Sequence, residues 1–378
     1  MGVPAHGQDA TLDAVLTPLK GMRGKPVDYG GPRNATPQLT VVKHALRDWV
    51  ESRLARFRQD GDIGDLERSL NAELRKAGAV CGATPGTTPC PDWSELGFLG
   101  EVRVRRAQAF LVVETGVGIE CGDDESAYLY SWSTEGWRRV WQNEQNTYTK
   151  EAYQPQKLHA VLVSPWNRGN DYLVLTLGSE SWCQSALHNV YWRAYRLGPD
   201  QLAPPLVTGF EFARIDDDPP IRGSVGANDV LVQFTPALPD ASQPAVRHYR
   251  IEAGKAKRVD PLALSPAAFV DEWLAADWRE SALWSESADR GSLRDFHEKF
   301  KGTINPGDFV YPTMHCGTPD VWQVAESQDH DALSGNNFYF LVRWRPPYRF
   351  TMVRESATPS ADCREQDRSA DERRTLFP

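Results

Sequence analysis

The chain has 378 residues, with 42 Lys and Arg against 51 Asp and Glu, a formal net charge of −9, and fractions of 40% apolar and 25% charged residues. Such a composition supports a large globular core, offers no apolar run of roughly 18 residues to span a membrane as a helix, and argues against nucleic acid as a partner bound by phosphate neutralisation. The basic clusters, Arg103, Arg105 and Arg106 and the pair Arg138 and Arg139, read as solvated strand faces. The 13 Trp point to aromatic-rich β structure, with core packing the plainer role and a ligand surface the sharper one.

In chain order, residues 1–35 are rich in Gly and Pro without periodicity and are expected as a flexible arm. Within it Val3-Pro-Ala5 and Gln8-Asp-Ala10 resemble the small-residue end of a signal peptide. Thr36 is a good N-cap, and Pro37 suits the first helical position, where its missing N–H costs nothing. Leu39, Val42, Leu46, Trp49, Val50, Leu54 and Phe57 then recur at helical spacing. After Gly61, Ile63, Leu66, Leu70 and Leu74 mark a second helix, so 36–97 is expected to be a helical hairpin followed by a loop. His44 and Trp49 are expected to pack in that hairpin.

From about residue 98 the apolar period changes from 3.6 to 2 and a weak repeat emerges. Each unit starts with a strand (101–105, 159–164, 221–225) and an aliphatic run (110–113, 172–175, 230–234). An aromatic alternating strand follows (128–132, 190–195, 246–251), then a Gly turn at 136, 198 or 254 and a fourth strand (137–141, 202–207, 256–259). Four strands repeated three times over 98–264 predict a mainly β, antiparallel domain with propeller-like repeats. The alternative is a β-sandwich with a small α+β C-terminal domain. Ser265 and Pro266 open a helical insertion with Phe269, Val270, Trp273 and Leu274 as its buried stripe, and a short helix begins near Ser292. Strands return at 308–311, 321–325, 337–345 and 349–354, which places a C-terminal sheet in 265–363, and the charged segment 364–378 reads as a disordered tail.

The six cysteines are an even number without zinc-knuckle spacing, which favours disulfides and an exported protein, secreted or periplasmic. The expected pairs are Cys81 with Cys90 across a Gly/Thr/Pro loop, Cys121 with Cys183 at like places in successive repeats, and Cys316 with Cys363.

No catalytic, cofactor or metal motif is complete. Gly116-Val-Gly118 lacks the third Gly and the following helix of a dinucleotide loop, His297-Glu298 has Lys301 where a zinc protease needs its second His, and Gly178-Ser-Glu-Ser181 is no nucleophile elbow. His315-Cys316 and His330 gain nothing from adjacency, because neighbouring strand residues face opposite ways. The acidic runs 123–125 and 216–218 lack the alternating spacing of a calcium loop.

What remains is position. Long loops over 114–127, 178–189 and 236–245 are expected at one end of the β domain, carrying Asp123, Asp124, Glu125, Trp182 and His188 as ligand-binding candidates. The function expected is binding of an unknown protein, peptide or glycan ligand. The alternative is a secreted hydrolase acting on a carbohydrate or peptide.

Overall fold

The computed structural model describes residues 10–23, 36–80, 97–119, 122–146, 156–166, 171–180, 187–197, 204–214, 219–237, 244–286, 288–301, 313–327, 337–345 and 349–364. Cys81, Cys90, Cys121, Cys183, Trp182, His330, the run 216–218, the expected strand 308–311 and all but the first residue of the expected tail lie outside them.

Three helices come first: α1 (Leu12–Met22), α2 (Thr36–Leu54) and α3 (Ile63–Lys76). Helix α1 departs from the expected arm. Leu12, Val15 and Leu19 are spaced for one helical face, and Val15, Leu19 and Met22 are buried, but Pro18 within the helix masks the pattern. The C-terminal end of α1 is pinned by Arg23, whose guanidinium donates to Gly97 O (2.9 Å) and Gly78 O (2.8 Å) and lies over the Phe98 ring. Helix α3 starts on Asp62, which accepts from Asp65 N, and buries Leu66, Leu70 and Leu74.

Among the described residues the β structure is four antiparallel sheets, the first three of them four-stranded meanders. The first is β1 (Arg103–Ala107), β2 (Phe110–Ile119), β3 (Gly122–Ser133) and β4 (Gly136–Asn143). The second is β5 (Gln156–Val163), β6 (Tyr172–Glu180), β7 (Leu187–Leu197) and β8 (Val207–Arg214). The third is β9 (Ile221–Val225), β10 (Asp229–Phe234), β11 (Ala245–Glu252) and β12 (Lys255–Arg258). Helices α4 (Pro266–Ala275), α5 (Trp278–Ser281) and α6 (Arg290–Phe300) intervene. The last sheet holds β13 (Met314–Cys316), β14 (Val321–Ser327), β15 (Asn337–Arg345), β16 (Arg349–Ser356) and β17 (Cys363–Arg364), in the spatial order β16-β15-β14-β13-β17. Each expected repeat therefore pairs its strands within itself. The Gly136 turn has φ +107° and the Gly254 turn φ +79°, conformations that favour glycine.

Period 2 explains the layering around the first sheet. Leu111 and Val113 of β2, with Tyr128 and Tyr130 of β3, share a core with the stripes of α1, α2 and α3. Phe110 and Val112, with Ala127 and Leu129, face the other way and pack with Leu158, Val161, Val174 and Leu197 of the second sheet. Asn71 of α3 is the polar link in the helical layer: its amide donates to Val102 O (2.8 Å) and accepts from Val102 N (2.9 Å), filling a strand partner's role.

Two compact units divide the chain, 1–230 and 231–378, with the boundary inside β10. In the second, Phe269, Val270, Trp273 and Leu274 of α4 share a core with Phe340, Val342, Phe350 and Met352. Ser265 caps α4 by accepting from Ala268 N, as the sequence leads one to expect. His297 is enclosed there, with Nε2 3.1 Å from Trp273 O and 3.2 Å from Ser281 Oγ. Cys316 and Cys363 form a disulfide across β13 and β17.

Two glycines of the second sheet leave room for rings. A Cβ on Gly178 would stand 2.4 Å from Tyr191 Cζ, and one on Gly209 2.2 Å from Trp192 Cζ2. Gly178→Ala and Gly209→Ala are each expected to lower stability by about 1–3 kcal/mol in urea unfolding. Gly291→Ala, in open space on α6, is expected to leave it unchanged or raise it by up to about 1 kcal/mol.

Candidate functional site

The acidic run does not lie in a loop. Strand β2 continues to Ile119 and β3 begins at Gly122, with Gly118 opposite Asp123, Val117 opposite Asp124 and Gly116 opposite Glu125. The 114–127 loop is thus a long hairpin. Its physical reason is the two glycines: a Cβ at Gly116 would come within 3.2 Å of Asp123 Cβ, and one at Gly118 within 3.0 Å of Phe98 O. The GVG stretch that failed as a phosphate loop makes space for carboxylates.

Strand β3 buries Asp124 completely, and the Lys43 ammonium of α2, 1% exposed, lies 2.5 Å from Asp124 Oδ2. Lys43 also donates to Gln145 O (3.1 Å). Burial pulls the Lys43 pKa down, against the pull of Asp124. The remaining oxygen of Asp124 accepts from Gln156 N (3.1 Å), and Glu125 Oε2 accepts from Leu158 N (2.5 Å). Gln156 and Leu158 are alternate residues of β5, an edge strand, so two carboxylates occupy main-chain donors along that edge. Burial pushes the Glu125 carboxyl up to about 7, opposed by the Leu158 N–H, and burial also raises Asp123 despite Arg103 and Lys157.

Beside this cluster Glu144, its side chain buried, accepts from the Tyr128 hydroxyl (2.5 Å) and Arg47 Nη1 (3.3 Å) and lies 2.9 Å from His44 Nε2. Burial works against its ionisation, but Tyr128 and Arg47 hold its carboxyl below the usual range. His44, with its side chain 44% exposed, stands beside Glu144 and is not, as expected, a packing residue, while Trp49 is in the core.

A cleft of about 340 Å³ opens from this region onto the second sheet. Gln145 and Gln156, the residues that touch Lys43 and Asp124, form one side; Glu180, Asn189, Tyr191, Arg193, Thr208, Gly209 and Phe210 form the rest. Cross-strand pairing fixes most of them: Tyr191 stands opposite Gly178 and Phe210, and Arg193 opposite Thr208. Asn189 Nδ2 donates to Glu180 Oε2 (2.9 Å), and the Arg193 guanidinium lies 5.7 Å from the Tyr191 ring centroid. Burial raises the Tyr191 phenol well above its ordinary value, and Asp124, Glu125 and Glu180 add to that despite Arg193, so it remains a neutral donor.

Of the predicted site residues, Asp123, Asp124 and Glu125 come together on strand β3 and not, as expected, on a loop. His188 is in β7, nearly buried, with Nδ1 3.1 Å from Glu180 O, so it too supports the wall. Phe210 and Phe212 were missed because the fourth strand of the second unit was placed at 202–207. Pro204-Pro205 disfavours a strand there, and the alternation Thr208, Phe210, Phe212 was the available signal. Among the described residues no group of three His, Cys, Asp or Glu side chains is arranged to hold a metal ion. No protein-family model matches the chain, and no curated protein matches its sequence.

Two outcomes follow. Lys43→Met should destabilise the fold by about 3–5 kcal/mol by leaving Asp124 buried without its cation, and Lys43→Met with Asp124→Leu should cost less than Lys43→Met alone, as urea unfolding would show. Glu125 releases its proton near 4.5 when unfolded and near 7 when folded, so the folded state holds more protons between those values and stability falls as pH rises through them. Relative to the parent, Glu125→Gln should be near neutral at about pH 4 and more stable by on the order of 2–3 kcal/mol at about pH 8.

Proposed function

We propose that the protein is an exported binding protein that holds a polar ligand, a peptide or a glycan, in the cleft of the second sheet. The observation that carries this reading is the composition of that cleft: one carboxylate (Glu180), one guanidinium (Arg193) and three side-chain amides, together with the aromatic side chains of Tyr191 and Phe210. Such a surface offers donors and acceptors in fixed directions beside apolar walls, and all its groups except Gln145, which follows β4, are set on strands. The Asp124 and Glu125 cluster then acts from behind, by fixing Gln156 and the β5 edge.

Export fits the Cys316–Cys363 bridge, since disulfides persist in oxidising compartments. Propeller-like repeats are supported by the three four-stranded meanders in chain order and, within residues 1–230, by the packing of β3 on β5 and of β6 on β9. A glycosidase would need a second carboxyl group about 5–10 Å from the first. Glu180 is the one acid among the described residues lining the cleft, which favours binding over hydrolysis.

The test is a glycan array and a peptide array probed with the intact protein. A ligand that binds the parent and loses about fivefold or more in affinity on both Arg193→Ala and Glu180→Gln supports the reading, a loss of roughly 1 kcal/mol for each change. A ligand indifferent to both places binding elsewhere, and release of product from an array member shows hydrolysis instead.

A further inference from the structure

Tyr128, Tyr130 and Trp132 are alternate residues of β3, on the side of the sheet that meets the helices. The first two are buried in the shared core, but Trp132 is 39% exposed. The connection between α2 and α3, residues 55–62, passes beside that ring without closing over it. A cavity of about 580 Å³ lies between them, lined by Arg58, Gln59 and Asp60 of the connection, Arg106 of β1, and Trp132. Both turns at this end of the sheet, between Ala107 and Phe110 and between Ser133 and Gly136, are two residues long, too short to fold over the indole. Trp137, opposite Trp132 on β4, sets its position, with ring centroids 5.3 Å apart and edge to face. Arg106 lies 5.9 Å from the Trp137 centroid, so of the two indoles Trp137 is the covered one and Trp132 the open one.

The rim is as ordered as the floor. Arg58 and Asp60 form a forked pair, Nε to Oδ1 at 3.0 Å and Nη2 to Oδ2 at 3.1 Å. Both are exposed, so the pair contributes little to stability. What it does provide is a planar array beside the indole, with the outer N–H groups of the guanidinium and a second lone pair on each carboxylate oxygen still to be used. Arg106 donates to Gln59 O and so ties the connection to the sheet.

These groups discriminate among ligands by charge and shape. A cation is opposed by Arg58 and Arg106, a bare anion by Asp60, and a wholly apolar ring would take water from the rim groups without replacing its hydrogen bonds. A hydroxyl both donates and accepts, so two neighbouring hydroxyls match a guanidinium beside a carboxylate, and a pyranose also carries an apolar ring face for the indole. The geometry points to a saccharide site at this end of the first sheet: the apolar face of a sugar ring packs on Trp132, and neighbouring hydroxyls on its edge bond to Arg58 and Asp60. The volume lies in the range of small-molecule sites. The site shares no lining residue with the cleft of the second sheet and does not depend on that reading.

The experiment titrates the full chain with methyl glycosides of glucose, galactose, mannose, xylose, N-acetylglucosamine and glucuronic acid, and with maltose, cellobiose and chitobiose, followed by saturation-transfer NMR. Ligands of this size at an open site bind with a Kd of roughly 0.1–10 mM, and saturable binding in that range is expected. The best binder should lose about tenfold or more on Trp132→Ala, less on Trp132→Tyr, which keeps a ring, and about fivefold or more on Arg58→Ala combined with Asp60→Ala. Circular dichroism checks that each variant is folded; the combined change, on an exposed connection, keeps the test decisive if Trp132→Ala does not fold.

Absence of saturable binding by every probe overturns the proposal, and so does a sugar that binds a folded variant, Trp132→Ala or the combined one, as tightly as it binds the parent. Sugar binding that is lost on Arg193→Ala and kept on Trp132→Ala belongs to the cleft, which then stands while this site falls. Loss on Trp132→Ala, when no array ligand responds to Arg193→Ala or Glu180→Gln, upholds this site and removes the cleft. Inorganic phosphate held through Arg58 and Arg106 when no sugar binds overturns the proposal in favour of an anion site.

Discussion

An ammonium group on a helix and a carboxylate on a strand, both removed from water, set the terms for the N-terminal unit. Taking either ion out of water alone is prohibitive, so Lys43 and Asp124 are tolerable inside only as a pair with their remaining valences filled. Gln145 O fills one for the lysine and Gln156 N one for the aspartate. Helix α2, strand β3 and strand β5 are thereby committed to one another, and a shift of any of the three would strand a charge. Apolar contacts bring the helices to the first sheet; this pair fixes where along the sheet they stop.

The cleft inherits that precision. Gln156 is held through its backbone by Asp124 and donates its side-chain amide to Glu125 O (3.3 Å), while Gln145 takes its position from Lys43. One wall of the cleft is thus anchored to buried charge and the other to the cross-strand ladder of β7 and β8. The lining runs from buried Gln156 to largely exposed Phe210, and the charges that place Gln145 and Gln156, Lys43 and Asp124, are buried. Mutations behind the cleft are therefore expected to act on stability and position, and those on its face on contact.

Much of this was legible in the sequence where pattern reports burial. The 3.6-residue stripe of Leu39, Val42, Leu46 and Trp49 gave α2, and the alternation of Tyr128, Tyr130 and Trp132 gave β3 with its packed face, although Trp132 lies beyond the helices and is 39% exposed. Where residues broke their usual preference the reading failed. Asp123, Asp124 and Glu125 read as a turn because acids seldom enter strands, and only the fold reveals a lysine 81 residues earlier to neutralise one and glycines opposite to admit the others. Helix α1 was hidden by Pro18, and β8 by the placement of a strand over Pro204-Pro205. The cleft was out of reach for a different reason: Gln145 follows β4 while Glu180 and Phe210 come from β6 and β8, and convergence of that kind leaves no spacing to read.

The bond between Cys316 and Cys363 has a topological meaning beyond cross-linking two short strands. It closes residues 316–363 into a covalent ring, and β14, β15 and β16 all lie inside it. A protease that cuts once within the ring opens a loop but releases no fragment, since both new ends remain tied through sulfur to the rest of the chain. Chain continuity is thus no longer what keeps β13 and β17 together, and a single break of the main chain between Cys316 and Cys363 leaves the molecule in one covalent piece.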